Sequence, residues 1–176
     1  MHLGIIPDGN RRYCKSHSID PSRLVDVWVT RVVSPALMWL LRLSVSPESE
    51  PARSFLSLTE VSLYVLSGDN MRRGDDTVAL VAELVENLDA GLRSFMSGPV
   101  GEALVRALLS RVRLRVVGER DGLPPSLAAA LDRWQSLCTG SRLTVNLAVN
   151  YDGERDCSGG YPARDRTPID LVFRSG

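Results

Sequence analysis

Short apolar runs alternate with longer stretches in which apolar residues recur at helical spacing, a pattern that predicts strands alternating with helices. Leu3-Gly4-Ile5-Ile6-Pro7 reads as a strand that runs into the polar turn Asp8-Gly9-Asn10-Arg11-Arg12-Tyr13. Leu63-Tyr64-Val65-Leu66 is a second, followed by Ser67-Gly68-Asp69-Asn70-Met71-Arg72-Arg73, and Ile169 to Phe173 is a third, followed by Arg174-Ser175-Gly176. Val112 to Val117 and Arg142 to Val149 are further strands. Asp20-Pro21-Ser22 starts a helix with apolar positions from Leu24 to Leu43, and Ser44 to Ser57 reads as a surface loop. Asp75-Asp76-Thr77 caps a helix through Val78, Leu80, Val81, Leu84, Val85 and Leu88 toward Phe95, with further helices over Gly101 to Arg111 and Pro125 to Cys138. The expected fold is α/β, a mainly parallel central sheet flanked by helices.

The chain has 176 residues, 44% hydrophobic and 24% charged, which suits one α/β domain over residues 1–176. Its 21 basic and 21 acidic residues cancel, so no nucleic-acid partner is expected. The most apolar stretch, Val32 to Leu41, is too short to span a bilayer and contains Pro35, so no transmembrane segment is expected. Cys14, Cys138 and Cys157 have no Cys-x-x-Cys spacing and read as free thiols of a cytoplasmic protein. His2 and His17 build neither a His-rich metal site nor a His-dependent triad.

Chemistry concentrates in the turns. Asp8 is a hard oxygen ligand suited to Mg²⁺, Gly9 lets the backbone approach an anion, and Arg11 and Arg12 can fork onto phosphate oxygens. A simple anion trap gains nothing from a carboxylate beside its arginines, so metal plus diphosphate is the economical reading. The alternative is a strand and an ordinary polar turn. With three strands ending in Arg-bearing turns, a parallel sheet would gather positive charge at its C-terminal edge, where open α/β sheets bind ligands.

These segments resemble the cis-prenyltransferases, the undecaprenyl and dehydrodolichyl diphosphate synthase fold. The resemblance lies in the strand into Asp8-Gly9-Asn10, the strand into Ser67 to Arg73, Val112 to Glu119 with Leu123-Pro124, Leu143 to Gly153, and Asp170-Leu171 through Arg174 to Gly176. It implies a prenyltransferase that couples an allylic to a homoallylic prenyl diphosphate with Mg²⁺-assisted diphosphate release. Asp8 would then hold Mg²⁺, and Gly9, Asn10, Arg11 and Arg12 the allylic diphosphate. Asn70 would assist proton removal or orient the leaving group, and Arg73 and Arg174 would approach the diphosphates. The family also implies a homodimer or heteromer and, in bacterial members, work at the membrane surface.

Departures from the family pattern narrow the reading. No histidine stands in Ile19 to Val25, Met71 replaces an aromatic, and Gly68 stands where a serine is usual. A similar first motif without the histidine marks the lavandulyl and cyclolavandulyl diphosphate synthase branch, which joins short units irregularly. Long-chain eukaryotic members also carry Asp-Gly-Asn-Arg-Arg, so regular cis-elongation stays open. The sequence ends at Gly176, before the family's further arginine, serine and acid, and the helical stretch before the last strand is reduced to about Cys157 to Arg166. The expectation is a domain incomplete at its C-terminus: a fragment, a partner-completed site, or a non-catalytic diphosphate-binding subunit.

Overall fold

A computed structural model of the chain describes residues 1–20, 23, 58–74, 76–161 and 167–175. The apolar runs form β1 (His2–Pro7), β2 (Glu60–Ser67), β3 (Val112–Val117), β4 (Leu143–Tyr151) and β5 (Leu171–Ser175). They pair in the order β3-β4-β2-β1-β5, and every pairing is parallel. The described helices are α1 (Asn10–Ser16), α2 (Gly68–Arg73), α3 (Asp76–Met96), α4 (Pro99–Leu109), α5 (Pro125–Leu137) and α6 (Gly153–Cys157). The predicted helix from Leu24 to Leu43 and the loop from Ser44 to Ser57 lie outside the described residues, as do Asp75 and residues 162–166.

Strand polarity and helix periodicity meet in one core. Val81, Ala82 and Val85 of α3 pack with Leu127, Ala130 and Leu131 of α5 against Leu66, Val116 and Val149 of the sheet. On the same sheet face a second cluster joins Val61, Leu143 and Val145 to Leu3, Ile5 and Leu63. The opposite face carries the alternate positions, among them His2, Gly4, Ser62 and Asn146, because successive side chains of a strand point to opposite sides. Gly118 closes β3 with φ 124°, and a Cβ there would stand 2.0 Å from the Val149 carbonyl oxygen, so only glycine fits where β3 meets β4.

Between α3 and α5 sits a buried charge. Asp89 is 2% exposed; it accepts from Arg133 Nη2 at 2.6 Å and Trp134 Nε1 at 3.0 Å, and pairs with Arg93 Nε at 3.0 Å. The Arg133 bond above all holds its carboxyl below the usual range despite burial, so α3 and α5 are pinned by an ionised group with its acceptors occupied.

Three expectations shift. The turns after β1 and β2 are wound into α1 and α2; at α2, Ser67 and Asn70 form a reciprocal cap, the Asn70 N–H donating to Ser67 Oγ at 3.0 Å and the Ser67 N–H to Asn70 Oδ1 at 3.1 Å. The helix predicted over Gly101 to Arg111 starts earlier, at Pro99, whose missing N–H costs nothing at a first helical position. Arg174 lies on a strand and not in the turn after one, since β5 pairs with β1 as far as Pro7↔Ser175.

Candidate active site

β2, β1 and β5 are parallel neighbours, so their C-terminal ends lie side by side along one edge of the sheet. Asp8 is the first residue past β1. Its Oδ2 accepts from Arg174 Nη2 at 2.5 Å and lies 3.8 Å from Arg12 Nη2, while its Oδ1 accepts from the Gly9 N–H at 2.6 Å. The Ser175 hydroxyl donates to the Asp8 carbonyl at 3.1 Å. Strand register explains the meeting: Arg174 is paired with Ile6, and its long side chain spans the remaining two residues along the strand. The Arg174 hydrogen bond, followed by that of the Gly9 amide, holds the Asp8 carboxyl below the usual range and keeps it ionised at neutral pH.

Gly9 has φ 85°, the left-handed conformation in which the chain leaves β1 and enters α1. Asn10 and Arg11 occupy the first turn of α1, and the Arg12 side chain stands in solvent above Asp8. At the end of the neighbouring β2, Asn70 is tied to Ser67, whose hydroxyl also donates to Asn70 Oδ1 at 2.5 Å. Arg73 lies exposed in the last turn of α2. The structure therefore brings Asp8, Arg12 and Arg174 together and sets Asn70 and Arg73 on α2, the helix that follows the adjacent strand.

Among the described residues no group of three or more His, Cys, Asp or Glu could hold a metal. Mg²⁺ does not need one, since it keeps several waters and takes one or two carboxylates plus substrate phosphates. An ionised, partly exposed Asp8 beside two guanidinium groups fits that donor set.

A prenyltransferase family model, that of undecaprenyl diphosphate synthase, matches residues 51–161. The chain belongs to this cis-prenyltransferase family. It is 28% identical over 156 residues to an isoprenyl transferase of Thermus thermophilus, covering 88% of this chain and 51% of that protein. It is 28% identical over 178 residues to the tritrans,polycis-undecaprenyl-diphosphate synthase (geranylgeranyl-diphosphate specific) of Halobacterium salinarum, covering 97% of this chain and 51% of that one. The chain thus spans about half the length of the curated relatives it matches. Its fold is similar to lavandulyl diphosphate synthase from Lavandula x intermedia, solved with dimethylallyl diphosphate: TM-score 0.57, 20% identity, 88% of this chain and 56% of that one.

In this member of the family the edge holds residues that sequence reasoning missed. Arg72 pairs with Asp69 at 2.6 Å and reaches Asp152, which caps α6, at 3.4 Å, tying α2 to the end of β4. Gly68, a departure from the family serine, makes room for that crossing: a Cβ there would meet Arg72 Nη1 at 3.3 Å. Tyr64, Tyr151 and Tyr161 form an aromatic cluster, with Tyr64 edge-on to Tyr151 at 5.9 Å and Tyr151 stacked on Tyr161 at 5.7 Å. The cluster walls a cavity of about 360 Å³ on the sheet face opposite α3 and α5. A chain position alone does not signal such partnerships, which join residues far apart in sequence.

Among the described residues no helix is long and apolar enough to cross a membrane.

Proposed function

We propose that the chain is the part of a prenyltransferase that holds an allylic prenyl diphosphate and promotes release of its diphosphate for coupling to a second isoprenoid diphosphate. The observation that carries this reading is the convergence of Asp8, Arg12 and Arg174 beside an apolar, aromatic-walled cavity. A prenyl diphosphate needs both: fixed positive charge for one end and a dry apolar space for the other.

Charge accumulates on the leaving diphosphate as the allylic carbon–oxygen bond breaks, so guanidinium groups fixed beforehand lower that barrier. Arg12 and Arg174 supply them, Gly9, Asn10 and Arg11 shape the first turn of α1 around the anion, and Arg73 approaches from the last turn of α2. Asn70 has its oxygen engaged by the Ser67 N–H and hydroxyl, which suits orienting the leaving group better than taking a proton. Asp8 would hold Mg²⁺, which when bound neutralises diphosphate charge as a Lewis acid.

Irregular coupling of short units is the finer reading, supported by the Asp8-Gly9-Asn10-Arg11-Arg12 motif with no histidine in the Ile19 to Val25 stretch that follows it. Assembly as a homodimer or heteromer is supported by the exposed apolar edge of β5, where Leu171, Val172 and Phe173 face solvent. The test is product analysis with labelled dimethylallyl, geranyl and isopentenyl diphosphates, run with the chain alone and with a supplied C-terminal segment of a relative. Mg²⁺-dependent release of diphosphate that disappears in Asp8→Ala supports the reading. No binding of any allylic diphosphate by the folded protein would falsify it.

A further inference from the structure

Helix α4 is apolar further round than the fold buries it. At about 100° per residue, its apolar side sweeps from Leu109 through Val105, Gly101, Leu104 and Val100 to Ala103, roughly two-thirds of the circumference. Glu102 and Arg106 mark the polar remainder, joined by an ion pair at 2.9 Å. Gly101 and Val105 are buried, but Val100 is 80% exposed and Leu104 50%. Helix α3 adds to this flank. Two residues, Ser97 and Gly98, separate the helices, and the corner is tight: a Cβ on Gly101 would stand 1.9 Å from the Phe95 carbonyl oxygen and 3.4 Å from its Cδ1. The Phe95 ring, 55% exposed, is thereby held against the turn of α4 from which Val100 and Leu104 project. Three large apolar side chains share one convex corner, and such a patch marks an interaction site.

The charge around it is one-sided. Residues 93–113 carry Arg93, Arg106, Arg111 and Arg113 against Glu102 and no other ordinary acid, in a chain of zero formal charge. Arg93 pairs with Asp89, but Arg133 engages the same carboxylate, so that group keeps a net positive charge. Arg111 and Arg113 are exposed past the end of α4. Because β2 and β3 both run parallel to β4, the connection through α3 and α4 returns to the start of the strands, and the corner lies toward the edge opposite Asp8.

We propose that the corner between α3 and α4 docks on an anionic lipid bilayer, with Phe95, Val100 and Leu104 entering the headgroup boundary and the flanking arginines meeting lipid phosphates. Three side chains cover far less than the about 800 Å² per partner of a stable protein interface, whereas a bilayer surface accepts a few apolar anchors flanked by cations. Net positive charge selects an anionic leaflet and repels a second copy of the same surface. In this orientation the Asp8 edge faces water. The docking surface therefore does not rest on the prenyl-diphosphate reading.

The test is co-sedimentation with vesicles of phosphatidylcholine alone and of phosphatidylcholine with phosphatidylglycerol in equal parts. The chain should bind the mixed vesicles at least about tenfold more tightly than the neutral ones, and release them as salt rises. Val100→Ser combined with Leu104→Ser should weaken binding by about tenfold or more. Arg106→Gln and Arg111→Gln should each weaken it about fivefold, whereas Phe173→Ser, at the exposed edge of β5, should leave it unchanged. Thermal melts confirm that the variants fold; should one fail to, the lipid and salt series on the wild type still decides. Equal binding to both vesicle types, or loss in Phe173→Ser with retention in the Val100 and Leu104 variant, overturns the proposal. So does the absence of vesicle binding, which would leave the corner to an acidic protein, or to a second copy if sedimentation equilibrium shows self-association that the same variant abolishes.

Discussion

Arg174 separates a structural contact from a functional one, because the two roles predict effects of different size. Its ion pair with Asp8 is largely solvated, the side chains being 65% and 37% exposed. Pairs of that kind contribute about 0–1 kcal/mol to stability. Arg174→Ala should therefore lower the melting temperature by less than about 4 °C in a chain of this length. If Arg174 instead meets a diphosphate, a charge-assisted hydrogen bond of about 1.5–3 kcal/mol is lost, weakening binding by about ten- to a hundredfold. Isothermal calorimetry with an allylic diphosphate and a thermal melt on the same preparation measure both numbers. Asp8→Asn supplies the complementary sign. Without metal the carboxylate repels the diphosphate and engages Arg174, so the substitution should strengthen binding in chelator; with Mg²⁺ the wild type should gain affinity and the variant should not. A large drop in melting temperature with unchanged affinity for Arg174→Ala would refute the ligand role, and a Mg²⁺ enhancement that persists in Asp8→Asn would refute the metal anchor.

Arg12→Lys should weaken allylic diphosphate binding more than Arg23→Lys does, because a lysine loses the fork; equal effects in calorimetry would make Arg12 an ordinary surface residue. Asp89→Ala leaves Arg133 and Trp134 without their acceptor and should cost about 3–5 kcal/mol, read as a fall of roughly 10 °C in melting temperature. Asp89 has its folded pKa depressed by Arg133, so its contribution is complete above the ordinary aspartate value and is lost as pH falls through the lower folded value. The Asp89→Ala variant should therefore flatten that acid limb of the stability profile, and an unchanged limb would count against the assignment. Cys157 is exposed while Cys14 and Cys138 are buried, and burial pushes the Cys138 thiol up to about 11, so a thiol reagent should titrate one fast group per native chain.

The strands were legible because each is an apolar run bounded by turn residues, and the long helices because α3 and α5 repeat apolar positions at helical spacing. Pairing was less so. That β4 continues to Tyr151 depends on its register with Ser67 of β2, and the irregularity between Tyr64 and Leu66 turns Leu66 toward α3 and α5 while Tyr64 stays with the cavity. Neither is implied by periodicity, since a bulge inserts one residue and reverses which face the next one takes. The first turn showed its chemistry because Asp8 and Arg12 are close in sequence. Arg174 could be tied to them only through a motif, as 166 residues separate it from Asp8.

The two faces of the sheet explain why the opposite end of the cavity escaped sequence reading. His2, Glu60, Ser62 and Asn146 sit at alternate positions within apolar strands, where a polar residue ordinarily marks a face turned to water. Here His2, Glu60 and Asn146 are buried, and what tells the cases apart is whether each donor finds an acceptor. That accounting needs the register Ser62↔Asn146 and His2↔Glu60, which brings β4, β2 and β1 into line. Once the strands are aligned, the Thr167 carbonyl sets the tautomer of His2, and the Asn146 NH₂, which only donates, sets the direction of the bonds to Ser62 and Glu60. A single unsatisfied member would make the row a liability in an apolar interior. With its donors matched along the aligned strands, the row is a hydrogen-bonded layer that the sheet can bury.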